Sequence, residues 1–181
     1  RRDFTLNGAD SIVYDGELSQ VQAIQNAASA YVYGVQAGVE VKFPKGFGLL
    51  SRFNYQKGME ELDDGTTSPL RHAGPWFGTT HFTYTFKSLK LDLYAIYNGE
   101  ISNANLAVGE QRKAYLYAAD ENGLPYSPSW YTLNLKATYQ FDKRFQLSTG
   151  LENITHQRYR PYSSGLTAPG INFIVSLRGM I

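Results

Sequence analysis

The chain is 181 residues long and carries 17 Lys and Arg against 16 Asp and Glu, so its net charge of +1 offers no basic surface for nucleic acid. It has no cysteine, which excludes a disulfide framework and any thiolate metal site. No apolar run is long enough for a membrane helix, but membrane-crossing strands need only about 9–11 residues with apolar side chains at every second position. The 14 Tyr, 10 Phe and 17 Gly lean towards such an all-β chain.

Arg1-Arg2-Asp3-Phe4 leads into no apolar run of the kind a signal peptide carries. Residues 1–28 read as something other than a spanning segment. Ser11 to Tyr14 and Glu17 to Gln25 flank Asp15-Gly16, a pair that favours a type I′ turn, and Arg1 to Leu6 reads as the tail of an earlier strand.

From Tyr31 a period of two sets in. Tyr31, Tyr33, Val35, Ala37, Val39, Val41 and Phe43 share one parity, with Gln36, Glu40 and Lys42 on the other. Successive side chains on a strand point to opposite faces, so this segment has an apolar and a polar side. Pro44-Lys45-Gly46 turns the chain into Phe47, Leu49, Phe53 and Tyr55, which face away from Arg52 and Asn54. Residues 58–74 read as a polar loop. A third strand over 76–86 sets Trp76, Phe82, Tyr84 and Phe86 against Thr79, His81 and Thr83, and Lys87-Ser88 returns it as Leu89, Leu91, Leu93, Ala95 and Tyr97.

Residues 99–128 form a long loop of little periodicity. Beyond it runs a hairpin in which Tyr131, Leu133, Leu135, Ala137, Tyr139 and Phe141 oppose Thr132, Asn134, Lys136, Thr138 and Gln140. Asp142-Lys143-Arg144 turns it into Phe145, Leu147, Thr149 and Leu151, with Glu152 on the polar side. A loop over 154–169 precedes a last strand from Ile171 to Ile181.

Three short turns alternate with three long connections, the layout of outer-membrane barrels whose long loops face outside the cell. A soluble antiparallel sandwich would also alternate. Against it stand the charges on the polar faces and two aromatic groupings. Phe43, Phe47, Phe86, Phe141 and Phe145 lie by the short turns; Tyr31, Tyr55, Trp76, Tyr97 and Trp130 lie by the long loops. The reading is a transmembrane antiparallel β-barrel. Seven spanning strands cannot close alone without exposing two edges to lipid, so the expected context is a larger barrel.

The end of the chain resembles the C-terminal region of TonB-dependent outer-membrane receptors of bacteroidal type. The resemblance is carried by Leu151-Glu152-Asn153-Ile154, Tyr159-Arg160, Ala168-Pro169-Gly170 and Ser176-Leu177. Ser127-Pro128-Ser129-Trp130 leading into a strand, and Gln25-Asn26 to Tyr33-Gly34-Val35, are similar to the same receptors. The resemblance implies that residues 1–181 are about the last third of a 22-stranded barrel, without the N-terminal plug and TonB box. It implies uptake of a scarce nutrient such as a ferric siderophore, haem or cobalamin, with outer-membrane lipid, TonB and the nutrient as partners. No cofactor or enzymatic activity is expected. Two positions depart from the pattern: Ile181 ends the chain where an aromatic is usual, and Ile171 follows Pro-Gly where a polar residue is common.

His72, His81 and His156 share no metal-ligand spacing. A hydrolase would have to recruit His81 or Ser148 with Asp92, without any nucleophile motif around them. Lumen-lining residues on the polar faces are Arg52, His81, Lys136 and Glu152. Candidate substrate contacts are Arg71 and His72, then Arg112 and Tyr115 with Lys113 and Tyr117, then Arg158, Tyr159 and Arg160 with His156 and Tyr162. All lie on the long-loop side, where arginine beside aromatic rings suits anionic or planar ligands.

Overall fold

The computed structural model describes residues 2, 3, 5–23, 29–62 and 64–179. Readings that rest on Arg1, Phe4, Gln25, Asn26 and Ile181 lie outside these residues.

Seven long strands form one antiparallel sheet: β1 Ala30–Lys42, β2 Phe47–Glu61, β3 Phe77–Phe86, β4 Leu89–Asn98, β5 Trp130–Gln140, β6 Phe145–Glu152 and β7 Asn172–Gly179. Each pairs with its neighbours in the chain, so the order across the sheet is the order in sequence, and β1 and β7 are its edges. The alternating residues fix the register. One row, Val41–Leu49–Phe82–Leu93–Leu135–Leu151–Phe173, crosses all seven strands on one face. A neighbouring row on the opposite face runs Lys42–Gly48–Thr83–Asp92–Lys136–Gly150–Ile174. A slip of one residue in any strand would exchange apolar for polar side chains along its whole length.

The apolar face has nothing packed on it. Phe82, Leu93, Leu135 and Phe173 remain 47%, 42%, 41% and 66% exposed. Among the described residues the buried apolar side chains are Ile101, Leu106 and Ala107, all in the 99–128 connection and none on the sheet. A soluble sandwich would bury this face against a second layer about 10 Å away. This sheet instead presents it outwards, as a barrel wall presents its lipid face. Near the short turns Phe47 lies 4.6 Å from Tyr84 and 5.7 Å from Phe82, and Tyr139 lies 5.0 Å from Phe141, between ring centroids. At the other rim Trp76 sits 5.9 Å from Phe53 and 6.1 Å from Tyr97.

Three details differ from the sequence reading. Residues 58–61 are strand rather than loop: Ala30 to Val32 pair with Glu60 to Gly58, and Thr67–Pro69 folds back onto Met59 to Glu61. The pairing continues past the level where alternation matters, because above lipid both faces meet water. Trp130 does not join the outer aromatic belt. It shares parity with Thr132 and Asn134, so it stands on the polar face and stacks on Tyr159. The last strand begins at Asn172, one residue after Ile171. The small N-terminal hairpin forms about the turn read for it, with a second arm that ends at Gln20 and not Gln25: Ser11–Tyr14 pairs with Glu17–Gln20, and Asp15 and Gly16 take φ of 52° and 81°, the two positive values of a type I′ turn. Below it, Arg2–Asp3 pairs with Gln22–Ala23.

Candidate functional site

The three long connections fold together at the rim opposite the short turns, and two residues hold them. The first is Asn153, directly after β6. Its φ of 49° lies in the left-handed region that Asn tolerates better than most residues. Its backbone N–H donates to Asn134 Oδ1 at 2.8 Å, and its Nδ2 donates to the carbonyls of Gln157 and Pro169 at 2.9 and 3.0 Å. Its Oδ1 accepts from the Gln157 N–H at 3.0 Å and the Thr155 hydroxyl at 3.3 Å. Asn153 therefore closes the 154–169 loop onto the wall, and Thr132 and Asn134 beneath it are only 3% exposed.

The second is Glu110, which the sequence reading passed over. It lies in the short helix Val108–Gln111, seated by the buried Leu106 and Ala107 and by the Val108 N–H donating to Ser68 Oγ at 3.2 Å. The carboxylate is fully buried and takes four donors. Arg71 Nε (2.7 Å) and Lys113 Nζ (2.9 Å) donate to Oε1; the Tyr117 hydroxyl (2.7 Å) and Ser163 hydroxyl (3.1 Å) donate to Oε2. Residues from all three long connections thus meet on one side chain. Burial alone would push this carboxyl up, but the hydrogen bonds from Tyr117, Lys113 and Ser163, with the Lys113 charge, bring it down to about 2. Burial, and then the bond to Glu110, push the Tyr117 phenol well above its ordinary range. Burial and the nearby Glu110 charge raise Tyr162, whose ring lies 6.2 Å from that of Tyr117.

Beside this tie lies a cleft of about 380 Å³ between residues 116–118, 127–130 and 157–161. Trp130 and Tyr159 form its aromatic wall, stacked with centroids 3.9 Å apart and planes 24° apart. Arg158 and Arg160 line it, with Tyr117, Gln157 and Thr167. Arg160 is steered by bonds from Nη1 to the Tyr115 carbonyl (3.2 Å) and from Nε to the Thr167 hydroxyl (3.4 Å).

The candidate contacts therefore separate. Arg71, Lys113, Tyr117 and Tyr162 gather around Glu110. Arg158, Tyr159 and Arg160 gather at the cleft. His72 is exposed at a φ of 68°, and Tyr115 is 76% exposed. Arg112 lies between them in sequence and is likewise on the rim. His156, also at positive φ, accepts the Ile171 N–H on Nδ1 at 3.3 Å. Lining the polar face lower down, His81 Nδ1 sits 3.0 Å from both Asp92 oxygens and its ring stacks 4.9 Å from Tyr94. Lys136 stands opposite Asp92, Arg52 opposite Thr79, and Glu152 opposite Asn172. Ser148 bonds Thr138 at 3.3 Å and is three strands from His81, roughly 14 Å at the usual strand spacing, so the two cannot act as nucleophile and base. Among the described residues no three His, Asp or Glu side chains come together as a metal site.

Residues 2–154 match the family model described as "TonB dependent receptor-like, beta-barrel". No curated protein sequence matches the chain. Among solved structures the chain is similar to a copper transporter, OprC, with a TM-score of 0.65, 13% identity and 83% of this chain covered. It is also similar to the siderophore receptor PiuA from Acinetobacter baumannii, with a TM-score of 0.55, 15% identity and 83% of this chain covered. The chain spans 23% and 22% of the lengths of those two proteins, and at such identities the likeness is one of fold.

Proposed function

This chain belongs to the TonB-dependent receptor β-barrel family, and from that premise we propose that it is the C-terminal wall and outer-loop portion of an active importer. The chain resides in the outer membrane of a Gram-negative bacterium. Its parent barrel would hold about 22 strands around an N-terminal plug, with energy arriving through TonB. The cargo would be a scarce nutrient such as a ferric siderophore, haem or cobalamin, bound first at the outer rim. The chain is assigned no catalytic step.

One observation beyond the family match carries this reading. The long connections do not wave free above the wall but are fastened over its polar face by Asn153 and Glu110, forming a fixed surface that can meet a ligand. A passive porin-like barrel is the competing reading, and uptake separates the two. Cells expressing the intact receptor should accumulate its nutrient only while TonB and the proton gradient are present. Uptake that persists in a TonB-deficient strain, at the same rate and without saturation, would establish the passive barrel instead.

A further inference from the structure

We propose that the cleft between residues 116–118, 127–130 and 157–161 is a binding site for an anionic ligand carrying a planar aromatic ring. The inference deepens the importer reading and rests on it, since it assigns the ligand chemistry of that same rim. Three observations converge on it. First, the volume of about 380 Å³ lies in the range of small-molecule sites, which run from roughly 300 to 1,000 Å³. Second, the charged side chains lining it are Arg158 and Arg160, with no carboxylate between them. Arg158 makes no ion pair or hydrogen bond with any described residue, in contrast to Arg71 and Lys113, whose charges Glu110 already answers. Arg160 is held by the Tyr115 carbonyl and Thr167, which fixes the direction of its guanidinium while its remaining N–H groups stay open. Two guanidiniums lining one cleft without an acidic partner suit a carboxylate, catecholate or phosphate better than a neutral group.

Third, the wall beside the arginines is aromatic. Trp130 is turned onto the polar face, away from lipid, and stacks with Tyr159 across residues 29 positions apart in sequence. A belt tryptophan would have pointed the other way. Both rings line the cleft, so its wall is an aromatic surface of the kind that a ligand ring packs against. The Tyr159 phenol is raised by burial and by the Glu152 charge, so it stays protonated and able to donate at neutral pH.

The test uses the intact receptor with its plug, purified in detergent, and three probes: 1-naphthoate, 1-naphthylmethanol and cyclohexanecarboxylate. Calorimetry should show 1-naphthoate binding at least about tenfold more tightly than either of the others, as expected for a charge-assisted arginine pair and for a stacking surface. Replacing both arginines, R158A with R160A, should abolish the preference for 1-naphthoate over 1-naphthylmethanol. Trp130→Ala should abolish the preference over cyclohexanecarboxylate, and Trp130→Phe should retain it. Near-UV circular dichroism of each variant guards against misfolded loops. Equal binding of charged and neutral probes, equal binding of aromatic and saturated acids, or no binding of 1-naphthoate each overturns the proposal. TonB-dependent uptake measured on the same unmodified receptor stands apart from these results: uptake without 1-naphthoate binding refutes this ligand assignment alone.

Discussion

Replacing Glu110 by Gln should loosen all three long connections at once while leaving the wall intact. The glutamate side chain has no exposed surface and receives Arg71, Lys113, Tyr117 and Ser163. A carboxyl lowered from 4.5 to about 2 is worth roughly 3 kcal/mol of loop closure, which agrees with the 3–5 kcal/mol typical of removing one partner from a buried pair. The amide also turns two acceptor oxygens into one acceptor and one donor, so at least one of the four donors loses its partner. Amide hydrogen exchange of the intact receptor, resolved by peptide, reads this directly. Protection should fall by about a hundredfold in residues 68–71, 106–117 and 162–164, in proportion to the lost closure free energy. Protection across β3 to β6 should not move. The wild-type protein supplies a second arm. Because the folded carboxyl titrates below the unfolded one, the stabilisation is complete above about pH 4.5 and fades as the pH falls towards 2. Exchange corrected for the intrinsic rate should rise in the same three segments over that window. A response confined to residues 108–113, with the other two segments unchanged, would refute the idea that one glutamate joins them.

Three more outcomes are expected. Leu135→Arg, on the outward row at mid-wall, should destabilise the barrel by about 2–4 kcal/mol in a lipid refolding titration. Its neighbour Lys136→Ala, on the polar row, should cost well under 1 kcal/mol, and similar losses for both would reverse the face assignment. Asn153→Ala removes the side-chain bonds to the Gln157 and Pro169 carbonyls, the Gln157 N–H and the Thr155 hydroxyl, and should weaken closure of the 154–169 loop by roughly 2–3 kcal/mol. Limited proteolysis should then cut within 157–167, and an uncut loop would count against its role. Trp130→Phe should leave barrel stability in lipid unchanged, whereas Trp76→Ala, in the outer belt, should lower it. The opposite ranking would return Trp130 to the lipid side.

The wall was legible in the sequence because a half-lipid, half-water sheet imposes a period of two that no loop imitates over seven segments. Its limits are less legible where lipid no longer enforces the period. Residues 58–61 pair as a strand beyond the membrane, where polar composition on both faces resembles a loop. Residue type places Trp130 at a membrane interface, which tryptophan suits, whereas its parity with Thr132 sets it on the other face. The rim was the least legible part. Glu110 meets Arg71 and Ser163 across 39 and 53 residues, and no local pattern announces such a meeting. The local signal is weak: one of four acidic residues in an otherwise unpatterned stretch, with Lys113 three positions on. Asn153 stood between: its motif was visible, but the five bonds it makes depend on where Pro169 and Asn134 arrive.

The outward face also sets a length. From Tyr131 to Tyr139 the lipid-facing side of β5 rises eight residues, roughly 26 Å along the strand and about 20 Å along the membrane normal at the tilt common in barrels. That is short for an average bilayer, whose hydrocarbon region is about 30 Å thick, and closer to the thinner outer membrane. The bilayer therefore acts on this wall as a caliper. Thickening it with longer acyl chains should penalise the strands through hydrophobic mismatch, while the water-facing loop layer, seated on its own small cluster of Ile101, Leu106 and Ala107, should keep its shape.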